Sequence, residues 1–429
     1  MKITDFKNFN NIYFIGIGGI GISAIARLLL LEGKKVKGSD ISLSEVTDEL
    51  TKAGAIITES QSLEDISKET DLIIFTAAIE VADQDLYQKI KKLPIPSLSY
   101  SEALGIVSGS KKTIAVSGTH GKTTTTAMIA KVLTEAKIDP SVIVGSMLLE
   151  SKSNYRAGLS EYLVVEADEY RRSFLSLQPY ILVINNLDAD HLDYYKDLAD
   201  VQSAFRSLAL KVPADGLIIC NPEDANVKPV LENIKCKVLD YTKIDFSDVK
   251  LKFPGEHNRQ NARVALAVAE TLGVKEKVAK KALENFVGTW RRFEYKGETK
   301  NGALIYDDYA HNPQKVVAVL AGTKEMYPDK KIIAVFQPHL FSRTKTLLQE
   351  FSVCFKDADE VILLPIYPAR EDFDASISSK ILAEKIGQNV TVKSKEEVVE
   401  EIKSKADKNS VVIFIGAGDV YKLSEQVIK

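Results

Sequence analysis

Cysteine is scarce in this chain, three residues in 429, and Cys220, Cys236 and Cys354 stand in no CxxC or other metal-ligand spacing. That excludes a disulfide framework and suits a reducing compartment. Charge of one sign is lacking as well: 56 Lys and Arg face 59 Asp and Glu, for a net charge of −3. No basic excess is available to draw in nucleic acid or an anionic membrane. Long apolar runs are also missing. The best candidate, from Ile12 to Leu31, is interrupted by Gly16, Gly18, Gly19, Gly21, Ser23 and Arg27. It is too broken for a membrane span, and no basic segment precedes it as in a secretory leader. The cytoplasm is therefore the expected location. No short-period repeat and no low-complexity segment occurs.

What is present is a composition 45% hydrophobic and 27% charged, ordinary for a chain that buries several cores. Its length suggests about three domains. Strand-like runs at 11–15, 35–38 and 71–76 alternate with helical patterns at 20–31 and 44–53. Further runs follow at 113–116, 162–165, 181–185 and 217–220, then at 303–307, 331–336, 360–364 and 411–415, with helical patterns at 124–136 and 258–272 among them. Alternation of this kind implies parallel, doubly wound sheets. We expect an α/β protein of three domains, each on a largely parallel sheet: Rossmann-like over 1–108, P-loop ATPase-like over 109–292, and Rossmann-like again over 293–429. The small, polar stretch from Ser108 to Lys112 reads as a linker.

The segment Ser117-Gly-Thr-His-Gly-Lys-Thr-Thr-Thr-Thr126 follows a strand and opens a helix. That arrangement cradles nucleotide phosphates, with backbone N–H groups and a helix N-terminus facing the anion. Lys122 is placed for the β/γ-phosphates and Thr123 for Mg²⁺. Thr124 to Thr126 suit a first helical turn better than a helix interior. The common pattern G-x-x-x-x-G-K-[ST] wants glycine at 116, where Val116 stands. Glu166, Asp168 and Glu169 end the run Val164-Val165, at the carboxyl end of a strand, where ligands bind in such sheets. One of them is the natural Mg²⁺ partner of Thr123. Asp188, Asp190, His191 and Asp193 cluster after the next strand, pointing to a metal or phosphate role.

The turn Gly16-Ile-Gly18-Gly19-Ile-Gly21, with Asp40 after the following strand, is a dinucleotide fingerprint. It binds a diphosphate without saying whether NAD, FAD or a UDP-sugar carries it. His257, Asn258 and Asn261 open an Ala/Val-rich helix, where the amides could read a base edge or Asn258 could be an N-cap. Asp308, Tyr309, His311 and Asn312 end one strand of the third domain, and His339 and Arg343 follow another. Gly416-Ala-Gly418-Asp419 reads as a turn. Arg291-Arg292 could bring cations to a phosphate.

These motifs, in this order and over nearly the whole chain, resemble the Mur ligases, ATP-dependent enzymes that build the peptide stem of bacterial cell-wall precursors. Gly118-Thr-His-Gly-Lys-Thr-Thr124 is similar to that family's own phosphate loop, which accounts for Val116. Within the family the likeness is to the branch that adds L-alanine to UDP-N-acetylmuramate. It rests on Phe14–Gly21 with Gly38-Ser-Asp40, on Glu166–Glu169, on Arg291–Glu294, and on Phe336–His339 with Ser342-Arg-Thr344. Phe205 stands where later-acting members carry a carbamylated lysine.

The resemblance implies ATP and Mg²⁺, with UDP-N-acetylmuramate and L-alanine as substrates, in a monomer or homodimer. Gly118, Thr119, His120, Gly121, Lys122, Thr123, Thr124, Asn258, Asn261 and Arg292 would bind ATP. Thr123, Glu166 and His191 would hold the metal. Gly16, Gly18, Gly19, Gly21, Ser39, Asp40, Thr76, Ala77 and Ala78 would bind the UDP-sugar, in domain 1–108. Tyr309, His339 and Arg343 would take the amino acid, in domain 293–429. Lys122, Arg292, Asp308, His311 and His339 would be catalytic. Tyr170-Arg171-Arg172, Asn312 and Leu340 depart from the commoner family pattern. Rival readings are a ligase that joins a ready-made tripeptide to the same UDP-sugar, a nicotinamide-dependent dehydrogenase and a non-catalytic nucleotide-binding regulator.

Overall fold

In the strands Leu72–Phe75 and Ser410–Ile415 every side chain is buried. Burial on both faces is what a parallel sheet covered by helices on each side requires. The computed structural model describes residues 3–151, 153–191, 194–369 and 371–428. They form two compact units, Met1–Lys250 with Arg259–Val287, and Leu251–Asn258 with Gly288–Lys429. Three sheets give the α/β architecture expected from the alternation.

The first unit holds two of them. One runs Ile56–Glu59, Lys35–Asp40, Asn11–Ile15, Leu72–Phe75, Ser97–Ser99, all parallel. Its order reverses between Asn11–Ile15 and Leu72–Phe75, and such a switch point opens a crevice at the strands' carboxyl ends. The other runs Lys237–Asp240, Leu217–Cys220, Pro179–Ile184, Lys112–Ser117, Tyr162–Glu166, Ser141–Leu148, Ser153–Arg156. Only its last pair is antiparallel. One core cluster joins both sheets, from Phe14 and Ile74 through Leu104 to Phe174 and Phe205. Asn154 reinforces the junction, donating to the Ile20 carbonyl and, at 3.2 Å, to Ser23 Oγ.

The stretch expected as a linker is not one. Ser108 and Gly109 end the helix Tyr100–Gly109, and Lys112 already begins a strand. Ser108 is buried; its hydroxyl accepts the Gln178 N–H at 3.0 Å, and its carbonyl accepts from Thr113 Oγ1 at 2.8 Å. Small polar residues here serve close packing rather than flexibility.

The third sheet, in the second unit, runs Glu294–Glu298, Leu304–Asp308, Ser410–Ile415, Lys331–Phe336, Glu360–Leu363, Val390–Val392. The first pair is antiparallel and the rest parallel. Alternate residues feed separate cores, Ile332, Ala334 and Phe336 on one face, Ile333 and Val335 on the other. Among the described residues no helix is long and apolar enough to cross a membrane.

The contact between helix Tyr100–Gly109 and the stretch Tyr170–Ser176 depends on Gly105, where a Cβ would lie 2.5 Å from the Ser176 carbonyl oxygen. Backbone cannot yield as a side chain tip can. Gly105→Ala should therefore destabilise the protein by about 1–3 kcal/mol despite alanine's better helix propensity. Denaturant unfolding checks it; a stabilised variant would show that the two segments are not tightly apposed.

Candidate functional site

Three adjacent strands of the second sheet deliver their carboxyl ends to one place. The middle one, Lys112–Ser117, leads into the phosphate-type loop. Its neighbours deliver Glu166 on one side and Asn185 on the other. Val116, at the position of the missing glycine, is a fully buried strand residue paired with Glu166 and Val183 in the ladders. The strand simply runs further before the loop begins.

Gly118 and Gly121 have φ of 130° and 81°, conformations that a β-carbon penalises. At Gly121 a Cβ would also stand 2.4 Å from Asn261 Oδ1. Asn186 Oδ1 accepts the His120 N–H at 2.8 Å, its carbonyl accepts that of Thr119 at 3.2 Å, and Asn185 Nδ2 donates to Thr125 Oγ1 at 3.0 Å. The helix Lys122–Glu135 then starts with its N–H groups at the loop, the arrangement that favours anions. Thr125 and Thr126 are buried, and Thr126 Oγ1 donates back to the Lys122 carbonyl at 2.8 Å.

Lys122 Nζ donates to the Gly118 carbonyl at 2.8 Å and lies 2.7 Å from Glu169 Oε2 and 2.9 Å from Oε1. Burial works against its charge, but Glu169, Asp168 and Glu166 outweigh that and raise its pKa. Thr123 Oγ1 donates to Glu166 Oε1 at 2.8 Å, and the Gly145 N–H donates to Oε2 at 2.7 Å. A hydroxyl beside a carboxylate at the foot of a phosphate loop is the oxygen donor set a small hard dication takes. His191, at φ 55°, brings Nε2 within 3.6 Å of Glu169 Oε1. Asp168, Glu169 and His191 offer ligand atoms within 4.8 Å of one another. Asp188 and Asp190 instead accept the N–H groups of Ala189 and His191, each at 2.8 Å, and Asp193 lies outside the described residues. Phe205 is fully buried against Phe174, ring centroids 5.1 Å apart, so that position is wholly apolar.

At the switch point of the first sheet, Gly16 leaves no room for a side chain, since a Cβ would meet Thr76 Cγ2 at 2.6 Å. Asp40 Oδ2 accepts the Gly18 N–H at 2.8 Å. Ser39 is buried, its carbonyl accepting the N–H groups of Gly16 and Ile17. Thr76 precedes the short helix Ala77–Ala82, placing Ala77 and Ala78 in its first turn. Tyr100 fills the space beside Gly21, and the charges of Glu166 and Asp168 help burial raise its pKa. Sequence reading missed Tyr100, because nothing local marks a tyrosine that closes a turn 79 positions earlier.

In the second unit the paired arginines part company. Arg291 is buried rather than presented to a phosphate, which corrects the expectation for it. Its guanidinium donates to Asp307 Oδ2 and the Gly418 carbonyl, both at 3.0 Å, and to the Gly416 carbonyl. It stacks 4.7 Å from the Tyr421 ring centroid and 5.1 Å from Tyr309's. Arg292 lies over the Tyr309 ring at 5.3 Å. Both oxygens of Asp308 accept backbone N–H groups, from Phe293 and Ala310, each at 2.7 Å. Asn312, one of the departures, caps the helix Pro313–Met326 by accepting the Lys315 N–H. Asn258 is not an N-cap, since its helix begins at Glu256; its side chain donates to the Pro254 carbonyl at 2.7 Å.

His339 stacks on Tyr367, centroids 5.7 Å apart and planes 17° from parallel, and its Nδ1 is 3.3 Å from Arg343 Nη1. His311 lies 6.4 Å from it, ring to ring, and its Nδ1 is 2.9 Å from the Tyr309 carbonyl. Tyr367 was not foreseen. The strand pairing that brings it to His339 is a single bridge, with no sequence signature.

Three family models match in succession: "Mur ligase family, catalytic domain" over 11–112, "Mur ligase middle domain" over 116–249, and "Mur ligase, glutamate ligase domain" over 291–418. The chain belongs to the Mur ligase family, which sets the dehydrogenase reading aside. It is similar to the UDP-N-acetylmuramate–L-alanine ligases of Clostridium kluyveri, 40% identical over 98% of each chain, and of Caldanaerobacter subterraneus, 40% identical over 99% of this chain and 98% of that one. Among solved structures it resembles the UDP-N-acetylmuramate–alanine ligase of Thermotoga maritima, with TM-score 0.80, 28% identity and coverage of 97% and 98%. A murein peptide ligase from Psychrobacter arcticus shares the fold at TM-score 0.71 and 23% identity, over 98% of this chain and all of that one.

His311 titrates abnormally. Burial and the nearby cations Lys315, Arg343 and Arg292 hold its pKa well below the ordinary value, against the opposing Tyr309 carbonyl. The unfolded chain therefore takes up this proton first. Stability from His311 is full above about pH 6.5 and drains away as pH falls toward the lowered native value. NMR titration should show the His311 ring taking up its proton well below the ordinary histidine range. His311→Gln should flatten the acid-side loss of stability. A native midpoint near the ordinary value would contradict this.

Proposed function

We propose that this chain joins L-alanine to the carboxylate of UDP-N-acetylmuramate, using ATP and releasing ADP and phosphate, in the cytoplasm. The observation that carries the proposal is the full-length likeness to the alanine-adding ligases, with Lys122, Thr123 and Glu166 assembled at the phosphate-type loop. The muramate carboxylate attacks the γ-phosphate of ATP and leaves an acyl phosphate. The alanine amine then attacks the acyl carbon, and phosphate departs as the amide forms.

The loop from Gly118 to Thr124 and the helix N-terminus hold the phosphates, with charge neutralisation and positioning as the main catalytic contributions. Thr123, Glu166 and His191 are assigned to Mg²⁺, which when bound offsets charge on the transferring phosphoryl group. Asn258 and Asn261 are assigned to adenine. The Gly16–Gly21 turn, Asp40 and the Thr76–Ala78 segment take the UDP moiety, in a domain spanning about 1–108. Arg292 answers phosphate charge, with Asp308 fixing the backbone around it and His311 beside it. Tyr309, His339 and Arg343 receive alanine, and His339 or His191 takes the proton that the amine must lose.

Lys122→Ala should lower alanine-dependent phosphate release by about a hundredfold or more. Phosphate release from ATP and UDP-N-acetylmuramate, compared across amino acids and the stem tripeptide, tests the substrate. Alanine should be the best acceptor; faster turnover with the tripeptide would replace this reading with the recycling ligase.

A further inference from the structure

The carboxylate of Glu169 is 3% exposed and lies between two site residues, Lys122 Nζ at 2.7 Å and His191 Nε2 at 3.6 Å. Its backbone is held as firmly. The Glu169 carbonyl accepts from Tyr195 Oη at 2.5 Å and from the Arg172 N–H at 2.8 Å. The turn that follows puts Arg171 and Arg172 in the left-handed region, at φ 52° and 59°. Two consecutive non-glycine residues there are costly, and such strain persists only where surroundings enforce it. Arg172 is anchored to Asp200 Oδ1 at 2.5 Å, while Arg171 lies 5.8 Å from the Tyr170 ring centroid. Tyr170 in turn packs against His191, centroids 5.0 Å apart. The Tyr170-Arg171-Arg172 departure thus forms the mount on which Glu169 sits.

We propose that Glu169 is a positioning residue that competes with the nucleotide phosphates for Lys122 and, once they draw the ammonium away, orients His191. The inference rests on the ATP-dependent reading above. At 2.7 Å the carboxylate is committed to Lys122, whereas 3.6 Å to His191 is beyond a good hydrogen bond. A phosphate on Lys122 weakens the first contact, and a buried carboxylate cannot stay unanswered. The His191 imidazole is the next hydrogen-bond donor within reach, so the exchange ties occupancy of the phosphate loop to the setting of the ring.

The test is ATP binding by calorimetry with EDTA present, alongside kcat with magnesium, for the parent protein, Glu169→Gln and Glu169→Asp. Glu169→Gln should bind ATP about three- to tenfold tighter, because Lys122 is released, yet lose about tenfold in kcat because His191 is no longer held. Glu169→Asp keeps the charge but shortens its reach, and should show the same two signs at smaller size. It separates competition for Lys122 from simple removal of a negative charge, and it carries the test if the glutamine variant folds poorly. A purely structural glutamate would weaken ATP binding and kcat together. That result, or unchanged ATP affinity in both variants, overturns the proposal. Failure of the parent protein to bind ATP even with magnesium present would sink the ATP reading itself, and this inference with it.

Discussion

A lysine ammonium withdrawn to 13% exposure must be met by charge, and much of the central sheet's carboxyl edge is arranged around that need. Burying an ion costs several kcal/mol unless it is paired and hydrogen-bonded. Lys122 has Glu169, the Gly118 carbonyl and, at 3.4 Å, that of Thr119. For those carbonyls to turn inward the loop must enter the left-handed region at Gly118 and Gly121. For the loop to hold that shape its outward N–H groups need acceptors, which Asn186 supplies. Valine at 116 belongs to the same arrangement. It carries the strand on and sets Glu166 in register beside it, within reach of the hydroxyl of Thr123.

The second unit buries a cation as well, to a different end. Arg291 spends its donors on Asp307 and on two carbonyls of the Gly416–Gly418 turn. Guanidinium suits this, because its planar donors pair and stack at once. The turn itself is packed closely, with a Cβ on Gly418 falling 2.4 Å from Gln337 Oε1. Gln337 also donates to Asp419, which pairs with Lys395. One buried arginine therefore ties the strand ends of the third sheet together. Its neighbour Arg292 leaves that brace and lies across Tyr309.

The interior of the fold was legible in sequence, and its margins were not. Strands buried on both faces, such as Asn11–Ile15, Leu217–Cys220 and Lys331–Phe336, are nearly continuous apolar runs whose expected bounds match the structure. The overlooked strands include all six sheet edges, Ile56–Glu59, Ser97–Ser99, Lys237–Asp240, Ser153–Arg156, Glu294–Glu298 and Val390–Val392. Several are short and half-exposed, so their hydrogen bonds come from a neighbour distant in sequence rather than from a local pattern. The motif-bearing loops could be read because glycine, lysine and acid spacing is local. The residues that position them could not. Glu169's hold on Lys122, Arg291's burial and the stacking of Tyr367 on His339 arise only when separate strands come together.

The phosphate loop is crowded by negative charge. Glu166, Asp168 and Glu169 place three carboxylates around one lysine and one histidine, so this edge is already negative before a triphosphate arrives. The helix N-terminus offsets only about half a charge. A nucleotide can still be accommodated only if positive charge enters with it or carboxylates are drawn elsewhere. The Thr123–Glu166 oxygen pair suits the first route, as a seat for a divalent cation. The nearness of Glu169 to His191 suits the second. An acidic cluster around a phosphate loop is then no contradiction, since a divalent cation or a redirected carboxylate answers the phosphate charge as it arrives.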